Sequence, residues 1–432
     1  MTYQEALDFI SAQPRFAPRQ LAPGEEPFNL NAIRRLLSLL GDPQKDLRFV
    51  HVAGTNGKGS VTAFLSSILQ EAGLRVGLYT SPYLERFTER IRIGDREIPE
   101  ADLARHAGTV RDAVEEMKRD GEDLPSEFEL VCAMAFLWFR EQAPDLVVLE
   151  VGLGGRLDAT NVIDCPDLAV ITSIGFDHME TLGDTLPKIA WEKAGIIKPG
   201  GHVVVLPQNP AVDAVFQTVC LERKAVLHTA ALPVRTVRPD LRGQDFDLPG
   251  LPGLHISLPG TYQMENAALA AQAALLLKDL GLPVTEEAVR AGLDKAKWPG
   301  RFELLRTEPA VLIDGAHNAD GAQVLRASLE ACFPGKRIVF IAGVLADKEY
   351  DAMLSAVLPL ADRFYTIAPP TARALSAEAL AERLSELGAE ALPCGGVEEA
   401  VRRAVDHAGK DGVVCAFGSL YYIGQVRALL RY

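Results

Sequence analysis

The sequence lacks the features that are typical of secreted proteins and of membrane proteins. Its six cysteines are widely scattered and form no Cys-x-x-Cys pair, which argues against a disulfide framework and a zinc site. No apolar run reaches the roughly 18 residues that a membrane-spanning helix needs. The first residues also lack the basic and apolar stretches of a secretion signal. We therefore expect a cytoplasmic protein without a membrane partner.

Acidic residues outnumber basic ones, 58 to 44. The formal net charge is −14, which disfavours a nucleic-acid partner, although a single pocket can still be locally positive. Internal repeats and low-complexity segments are absent, so fibrous and disordered classes are excluded. With 432 residues, of which 48% are hydrophobic, the chain exceeds the size of one growing core and is expected to form two domains.

A glycine-rich turn at residues 51–60 is the strongest signal present. An apolar strand at residues 48–53 precedes it and a helix begins near Lys58, so backbone N–H groups can converge on an anion at the helix N-terminus. Lys58 adds a positive charge. The spacing departs from the usual phosphate-binding pattern, and an ordinary glycine turn is the alternative. The candidate phosphate-binding residues are Gly54, Thr55, Asn56, Gly57, Lys58, Gly59 and Ser60.

Acidic and imidazole groups follow two further apolar strands. Glu150 ends the run at residues 145–150, and His178 comes shortly after the run at residues 167–172. Parallel sheets bind ligands at the carboxyl ends of their strands, so Glu150 is a Mg²⁺ candidate, and we expect His178 to follow an adjacent strand end. A buried salt-bridged glutamate and a purely structural histidine are the alternatives.

Lys193 follows on a helix predicted from Thr185. It is either an ion-pair partner of neighbouring carboxylates or, if burial depresses its pKa, a chemically altered group. The charged stretch at residues 81–94 is predicted to be a polar loop, either functional or merely a solvated surface.

The order of predicted strands and helices indicates an α/β fold. Residues 1–297 are expected to form a P-loop-containing, doubly wound and mostly parallel sheet domain. Residues 298–432 alternate strictly and predict a smaller Rossmann-like α/β domain without its own phosphate loop. Its first strand ends in Asp314-Gly-Ala-His317-Asn318, polar residues suited to closing over a nucleotide that the first domain holds.

Several of these motifs occur together in one enzyme family. They are residues 51–60, 80–84, 149–161, 192–195, 260–263, 314–318 and 417–421. In order, these stretches resemble folylpolyglutamate synthase/dihydrofolate synthase, a branch of the Mur-ligase-like ATP-dependent amide ligases. The resemblance extends from about Asn29 to the end of the chain. It also implies that the unusual spacing of the phosphate loop is the form typical of this branch.

The resemblance implies a reaction and its substrates. ATP would phosphorylate a carboxylate of tetrahydrofolate or dihydropteroate, and the amino group of L-glutamate would attack the acyl phosphate. Lys58 and the loop amides would hold the phosphates with Ser60, which is also a metal candidate. Ser81, Glu150 and His178 would bind Mg²⁺. Lys193 matches a carbamylated lysine that supports a second Mg²⁺, and K⁺ is a further candidate ion.

The remaining roles also come from the resemblance. Asn266 matches an adenine contact, while Arg301, Asp314 and His317 match nucleotide-facing residues of the second domain. With Lys58 and Lys193, His317 completes the candidate catalytic residues. The pterin-binding region is assigned to Tyr83, Phe128 and Glu129, although Tyr83 departs from the histidine of many relatives. A monomer is expected.

Two other functions share parts of this pattern. A Mur-type ligase that adds an amino acid to a nucleotide-linked cell-wall precursor would share the fold and the acyl-phosphate chemistry. A non-catalytic nucleotide-gated switch would share only the phosphate loop. Whether the enzyme makes dihydrofolate, extends folates, or does both is left open by the sequence.

Overall fold

A computed structural model describes residues 1–14, 29–235 and 240–431. The chain forms two compact units, and each unit consists of several stretches that are separated in the sequence by parts of the other unit. The first unit contains Met1–Ser81, Thr88–Leu232 and Asn266–Leu293, and the second contains Pro82–Phe87, Pro233–Glu265 and Asp294–Tyr432. The predicted domain limits of 1–297 and 298–432 stay a prediction, and the compact units differ from them mainly by the two inserted segments.

The first unit is built on one eight-stranded sheet. Its strands are β1 (Phe49–Ala53), β2 (Val76–Tyr79), β3 (Ile91–Ile93), β4 (Arg96–Glu97), β5 (Leu146–Glu150), β6 (Leu168–Ile171), β7 (His202–Val205) and β8 (Val226–Thr229). Its helices are α1 (Tyr3–Ser11), α2 (Asn31–Leu39), α3 (Lys58–Glu71), α4 (Glu100–Arg119), α5 (Glu127–Gln142), α6 (Met179–Leu182), α7 (Leu186–Ala194) and α8 (Pro210–Arg223). Toward the end of the unit lie α9 (Gln263–Asp279) and α10 (Glu286–Lys295).

The strand order of this sheet is β4-β3-β2-β5-β1-β6-β7-β8. Strands β2, β5, β1, β6, β7 and β8 pair in parallel, and β3 pairs antiparallel with β2. Every residue of β1, β2, β5 and β6 is buried, as continuous apolar runs in a parallel sheet require. The order makes β1 the central strand of the candidate site.

Two expectations about this sheet are wrong. Strands β5 and β6 are not adjacent, because β1 lies between them and pairs with both. The stretch 81–94 is not wholly a loop, since it contains the 3-10 helix Phe87–Arg90 and strand β3. Strand β3 was not predicted from the sequence because it is short and its two apolar residues, Ile91 and Ile93, lie among charged residues.

The second unit contains two sheets. A small antiparallel sheet has the order β11-β10-β9, and a six-stranded sheet has the order β12-β13-β17-β14-β15-β16. The strands are β9 (Val234–Arg235), β10 (Gln244–Leu248), β11 (Leu251–Ile256), β12 (Glu303–Thr307), β13 (Ala310–Ile313), β14 (Ile338–Ala342), β15 (Ala361–Thr366), β16 (Ala391–Pro393) and β17 (Val413–Phe417). The helices are α11 (Ala319–Cys332), α12 (Tyr350–Val357), α13 (Ala377–Glu386), α14 (Val397–Ala408) and α15 (Leu420–Leu430).

The second unit follows the predicted alternation with one addition. Strand β12 pairs antiparallel with β13 at the edge of an otherwise parallel sheet. This pairing joins the turn at residues 300–302 to the polar end of β13, where Asp314 lies. Among the helices that the structure describes, none is long and apolar enough to cross a membrane.

Candidate active site

The glycine-rich turn joins β1 to α3 and leaves the first-turn amides of that helix pointing into the loop. Gly54 and Gly57 have φ values of +150° and +87°, in the region that favours glycine. A Cβ on Gly54 would collide with the Thr172 side chain, and one on Gly57 would collide with Asn266. Both positions therefore need glycine for space as well as for conformation.

The loop is fastened to the end of β6 by the two residues between those glycines. Thr55 N donates to Ser173 O at 2.8 Å, and the Thr55 hydroxyl exchanges hydrogen bonds with the Gly175 backbone at 3.1 Å. Asn56 O accepts from Thr172 Oγ1 at 2.6 Å. These contacts make Thr55 and Asn56 positioning residues in this state.

Two lysines converge on one carbonyl of the loop. Lys58 Nζ lies 3.1 Å from Gly54 O, and Lys193 Nζ lies 2.8 Å from the same oxygen. Burial, reinforced by the charge of Lys58, lowers the pKa of Lys193 from 10.5 to about 7. Lys193 thus has a large neutral fraction near neutral pH, which a buried amine needs before it can act as a nucleophile.

Glu150 occupies the carboxyl end of β5, beside the phosphate loop strand. It is 3% exposed, and its Oε2 accepts a hydrogen bond from Ser81 N at 3.2 Å. Glu150 and Ser81, two of the predicted metal ligands, therefore lie together. Ser60, also a metal candidate, is buried in the first turn of α3.

His178 is placed differently from the prediction. It follows β6, which β1 separates from β5, and it has a left-handed backbone (φ +52°) and a backbone amide that donates to Asp177 Oδ1 at 2.9 Å. Its side chain is 39% exposed. In the ranges that the structure describes, no group of three His, Cys, Asp or Glu side chains is arranged to hold a metal.

The loop after Glu150 is held by a buried carboxylate that sequence reasoning missed. Asp158 Oδ2 accepts from Leu153 N at 2.8 Å, and Asp158 Oδ1 accepts from the Thr160 amide and hydroxyl. Thr160 Oγ1 in turn lies 2.8 Å from His51 Nε2 in β1. Burial lowers the pKa of His51 to about 3, so its ring is neutral; since the Thr160 hydroxyl donates its proton to Asp158 Oδ1, the Nε2–H tautomer of His51 is the one that can donate to Thr160.

The same loop is locked to the helix that carries Lys193. Arg156 Nη2 donates to Glu192 Oε1 at 2.9 Å, and Arg156 N donates to Glu192 O at 2.7 Å. A Cβ on Gly195 would overlap the Arg156 backbone. The motif at residues 152–161 therefore fixes the positions of Glu150 and Lys193 relative to each other, a role that spacing alone did not reveal.

The residues assigned to the pterin occupy separate surroundings. Phe128 packs against Gly152, where an added Cβ would lie 2.5 Å from the ring, and makes an edge contact with Tyr79 at 6.0 Å. Glu129 accepts from Ser126 N and Oγ at 2.7 and 2.8 Å, which caps α5. Tyr83 belongs to the second unit and packs on Phe87 with ring centroids 5.6 Å apart.

In the second unit, Asp314 organises the turn that bears Arg301. Its carboxylate accepts from Tyr262 Oη at 2.7 Å, Phe302 N at 2.8 Å and Ala316 N at 2.8 Å. Burial raises the pKa of Asp314, against the lowering effect of Arg301 and these donors. Asp314 is thus already saturated with donors and acts here on the backbone.

The other two second-unit candidates lie beside Asp314. The Arg301 guanidinium lies against Gly315, where it fills the space that a Cβ would need. His317 Nδ1 is 2.8 Å from Gly315 O, which leaves Nε2 as the nitrogen directed away from that carbonyl. Arg301 and His317 therefore share one glycine as their support.

Family models match both units. The Mur ligase middle domain matches residues 52–274, and the Mur ligase glutamate ligase domain matches residues 300–420. Together they cover most of the chain, including the phosphate loop and the Asp314 turn.

Full-length relatives match as well. The dihydrofolate synthase/folylpolyglutamate synthase of Bacillus subtilis is 37% identical over 99% of this chain and 99% of its own length. A folylpolyglutamate synthase of Mycobacterium tuberculosis complexed with ADP superposes with a TM-score of 0.88, 30% identity, and coverage of 100% of this chain and 98% of that one. A solved FPGS-AMPPCP-folate complex gives a TM-score of 0.84 and 33% identity, with full coverage of both chains.

Proposed function

Because the chain belongs to the folylpolyglutamate synthase/dihydrofolate synthase family of Mur-type ligases, we propose that it joins L-glutamate to a folate-type carboxylate in an ATP-dependent reaction. It is an amide-forming ligase that uses ATP. The observation that carries the proposal is the phosphate loop with Lys58 and the buried Lys193 on one carbonyl oxygen, in a chain similar to these enzymes over its whole length.

Phosphoryl transfer from ATP to the carboxylate is the first step. It demands neutralisation of phosphate charge and alignment of the two reactants rather than covalent participation of the protein. Lys58 and the amides at the start of α3 would bind the phosphates, because the helix N-terminus and the ammonium both favour anions. Lys58 Nζ donates to the carbonyls of Gly54 and Thr55, which holds the ammonium at the phosphate loop.

Mg²⁺ is the metal that the family implies, and the side chains fit it. Glu150 offers a carboxylate oxygen and Ser81 and Ser60 offer hydroxyls, all of them hard donors of the kind Mg²⁺ prefers. Bound there, Mg²⁺ would neutralise phosphate charge. We propose Glu150, Ser81 and His178 as the protein ligands; Glu150 and Ser81 lie together, with Ser81 N 3.2 Å from Glu150 Oε2. A second Mg²⁺ and K⁺ stay proposals.

Lys193 is proposed to act as a carbamate. A neutral amine is required to capture CO₂, and the lowering of the Lys193 pKa to about 7 by burial supplies a large neutral fraction. Carbamylation would replace a cation next to Lys58 by an anion, turning the repulsion between the two lysines into attraction. The new oxygens would offer further hard donors to Mg²⁺.

The second step joins the acyl group to L-glutamate. The amine must lose a proton and the tetrahedral intermediate must expel phosphate, so donors aimed at the developing charge lower the barrier. Arg301 and His317, which the Asp314 turn supports, are proposed for this role and for the nucleotide. Asn266 beside Gly57 is proposed on the adenine side, and Phe128 with Tyr83 for the pterin.

The test is an assay of phosphate release with purified protein. Release should require ATP, Mg²⁺, L-glutamate and a folate-type acid together, and omission of any one should abolish it. Parallel reactions with dihydropteroate and with tetrahydrofolate decide between dihydrofolate synthesis, folate extension and both. Release with a nucleotide-linked cell-wall precursor in place of the folate would instead identify a Mur-type ligase, the reading that the family match disfavours.

Two further features are proposed with this function. The enzyme acts as a monomer, and it acts in the cytoplasm, where ATP and L-glutamate are both abundant. Sedimentation of the purified protein at assay concentration checks the first, and fractionation of the source cells checks the second.

A further inference from the structure

A buried arginine in the second unit belongs to none of the roles described so far. Arg427 on α15 has a side chain that is only 7% exposed, and it contacts two carboxylates. Its Nε lies 2.8 and 3.0 Å from the two oxygens of Glu303, and its Nη1 donates to Glu85 Oε1. Burial alone would lower the pKa of Arg427, but the bonds to Glu85 and Glu303 outweigh it and raise that pKa.

The first carboxylate, Glu303, reaches the turn that bears Arg301. Glu303 Oε2 accepts from Gly300 N at 2.8 Å, while Asp314 Oδ2 accepts from Phe302 N at 2.8 Å. The turn is strained, because Phe302 has φ +46°, a conformation rare for a bulky residue. Two carboxylates thus hold the turn on either side of Arg301, and Arg427 holds one of them.

The second carboxylate, Glu85, lies in the segment Pro82–Phe87 that bears Tyr83. This segment belongs to the second unit although the chain on both sides of it belongs to the first. Leu84 fixes it as well: its side chain lies 3.2 Å from the position of a Cβ on Gly300, and its carbonyl occupies the space a Cβ on Gly424 would take. The segment, the Gly300 turn and α15 therefore form one cluster around Leu84 and Arg427.

We propose that Arg427 is a positioning residue for the ligation reaction, which fixes the Tyr83 segment through Glu85 and the Arg301 turn through Glu303. One side chain then sets the geometry of a residue proposed for the folate-type acid and of a residue proposed for the nucleotide. The inference rests on the proposed function, because the contact through Glu85 and the contact through Glu303 are distinguished by the substrates that they affect.

The test separates the contact through Glu85 from the contact through Glu303 by measuring KM for tetrahydrofolate and KM for ATP. Glu85→Ala should raise KM for tetrahydrofolate about tenfold while KM for ATP stays within about twofold, since small displacements of a positioning group are costly. Glu303→Ala should do the reverse. Arg427→Met should raise both constants, and Glu85→Ala should add little to KM for tetrahydrofolate in the Arg427→Met background, because the pair acts as a unit.

A matched control is Arg383→Met. Arg383 also bridges two carboxylates of the second unit, with Nε 2.8 Å from Asp351 Oδ1 and Nη1 2.6 Å from Glu386 Oε2, but it lies at the surface on α13. Neither Michaelis constant should change in this variant. If Arg427→Met does not fold, Arg427→Lys, which retains charge but can serve only one carboxylate, and the two glutamate variants carry the test.

Equal changes of both Michaelis constants in Glu85→Ala and Glu303→Ala would overturn the inference. So would a lower melting temperature in Arg427→Met with both constants unchanged, which would make Arg427 purely structural. A wild-type enzyme that performs no ligation with either folate-type acid would instead overturn the proposed function.

Discussion

Lys193 in the first unit and Asp314 in the second are both buried ionisable groups, but the hydrogen-bonding partners and charges around them differ. Asp314 accepts hydrogen bonds from Tyr262, Phe302 and Ala316, so its carboxylate is saturated by protein donors. Lys193 donates to Gly54 O and lies in the repulsive field of Lys58, which with burial lowers its pKa to about 7. The first arrangement fixes a backbone, and the second leaves a reactive amine.

This difference predicts which substitutions remove activity and which remove stability. A group that awaits a ligand or a modification stabilises the apo fold little, whereas a saturated buried group is expensive to change. Substitutions around the phosphate loop should therefore abolish turnover in a protein that still folds, and those around Asp314 should lower the melting temperature.

The largest effect is expected for Lys58→Ala. Removing the ammonium that neutralises phosphate charge should lower kcat/KM by about 10²-fold or more, with an unchanged melting temperature. Lys188→Ala is the control, because that lysine is exposed on α7 and its side chain pairs with Asp184 at 2.8 Å, away from the phosphate loop contacts of Lys58. Near-normal ligation by a folded Lys58→Ala enzyme would show that the loop is structural.

Lys193→Ala should be nearly inactive but partly rescued by acetate. If Lys193 acts as a carbamate, a small carboxylate can replace the missing anion, whereas a small amine cannot. Initial rates measured with increasing acetate or methylamine distinguish the two. Rescue by methylamine alone would identify Lys193 as an ammonium.

The pH dependence of the free energy of unfolding tests the lowered pKa of Lys193. Its folded pKa of about 7 lies below the usual 10.5, so between these values the unfolded chain holds a proton that the folded chain does not. Unmodified wild-type protein should therefore gain about 1.4 kcal/mol of unfolding free energy per pH unit as pH rises from about 7. Lys193→Met should remove this slope in denaturant titrations made without CO₂.

Glu150→Gln should preserve the fold and lower activity about tenfold or more, because it removes the charge that is proposed to hold Mg²⁺. The concentration of Mg²⁺ that gives half-maximal activity should rise. An unchanged magnesium titration would count against Glu150 as a ligand.

Asp314→Asn tests the other buried group of the comparison, whose proposed role is to stabilise a backbone turn. The amide retains one acceptor oxygen but presents an NH₂ group to donors that the carboxylate now satisfies. Leaving a buried backbone N–H unpaired should cost about 2 kcal/mol of unfolding free energy, measured by chemical denaturation. A variant as stable as wild type would show that Asp314 serves a ligand rather than the turn.

The smallest effect at neutral pH is expected for His51→Gln. Because the folded pKa of His51 is about 3 and its usual value is 6.5, the unfolded chain binds a proton in this interval that the folded chain does not. The wild-type protein should lose about 1.4 kcal/mol per pH unit as pH falls below about 6.5, and the variant should lose less. Identical acid denaturation curves would contradict this.

Much of the framework was predictable because it depends on local patterns. The bounds of the helices Glu100–Arg119 and Ala319–Cys332 and of the strand Ala310–Ile313 follow from local amphipathic and buried runs in the sequence. The carboxyl-end rule likewise placed Glu150 at the site edge and beside Ser81.

The errors and omissions depend on contacts that are distant in sequence. No pattern in the strands themselves indicates that β1 inserts between β5 and β6, so the two strands were wrongly predicted to be adjacent. The Arg156 and Glu192 pair and the Arg427 cluster join residues that only the tertiary fold brings together. The motifs include Arg156 and Glu192 without indicating that the two side chains pair, and Arg427 and Glu303 lie outside all of the motifs.

The contact between Gly57 and Asn266 has a consequence for synthesis of the chain. Asn266 leaves the ribosome about two hundred residues after the loop that it abuts. At about 5–20 residues per second this delay is roughly 10–40 s, during which the phosphate loop lacks the contact with Asn266. The inserted segment Pro233–Glu265 emerges in that interval, before Asp294–Tyr432, the largest part of its own unit, has been made. Neither unit can finish folding in the order of translation, so the nascent protein depends on delayed closure of both.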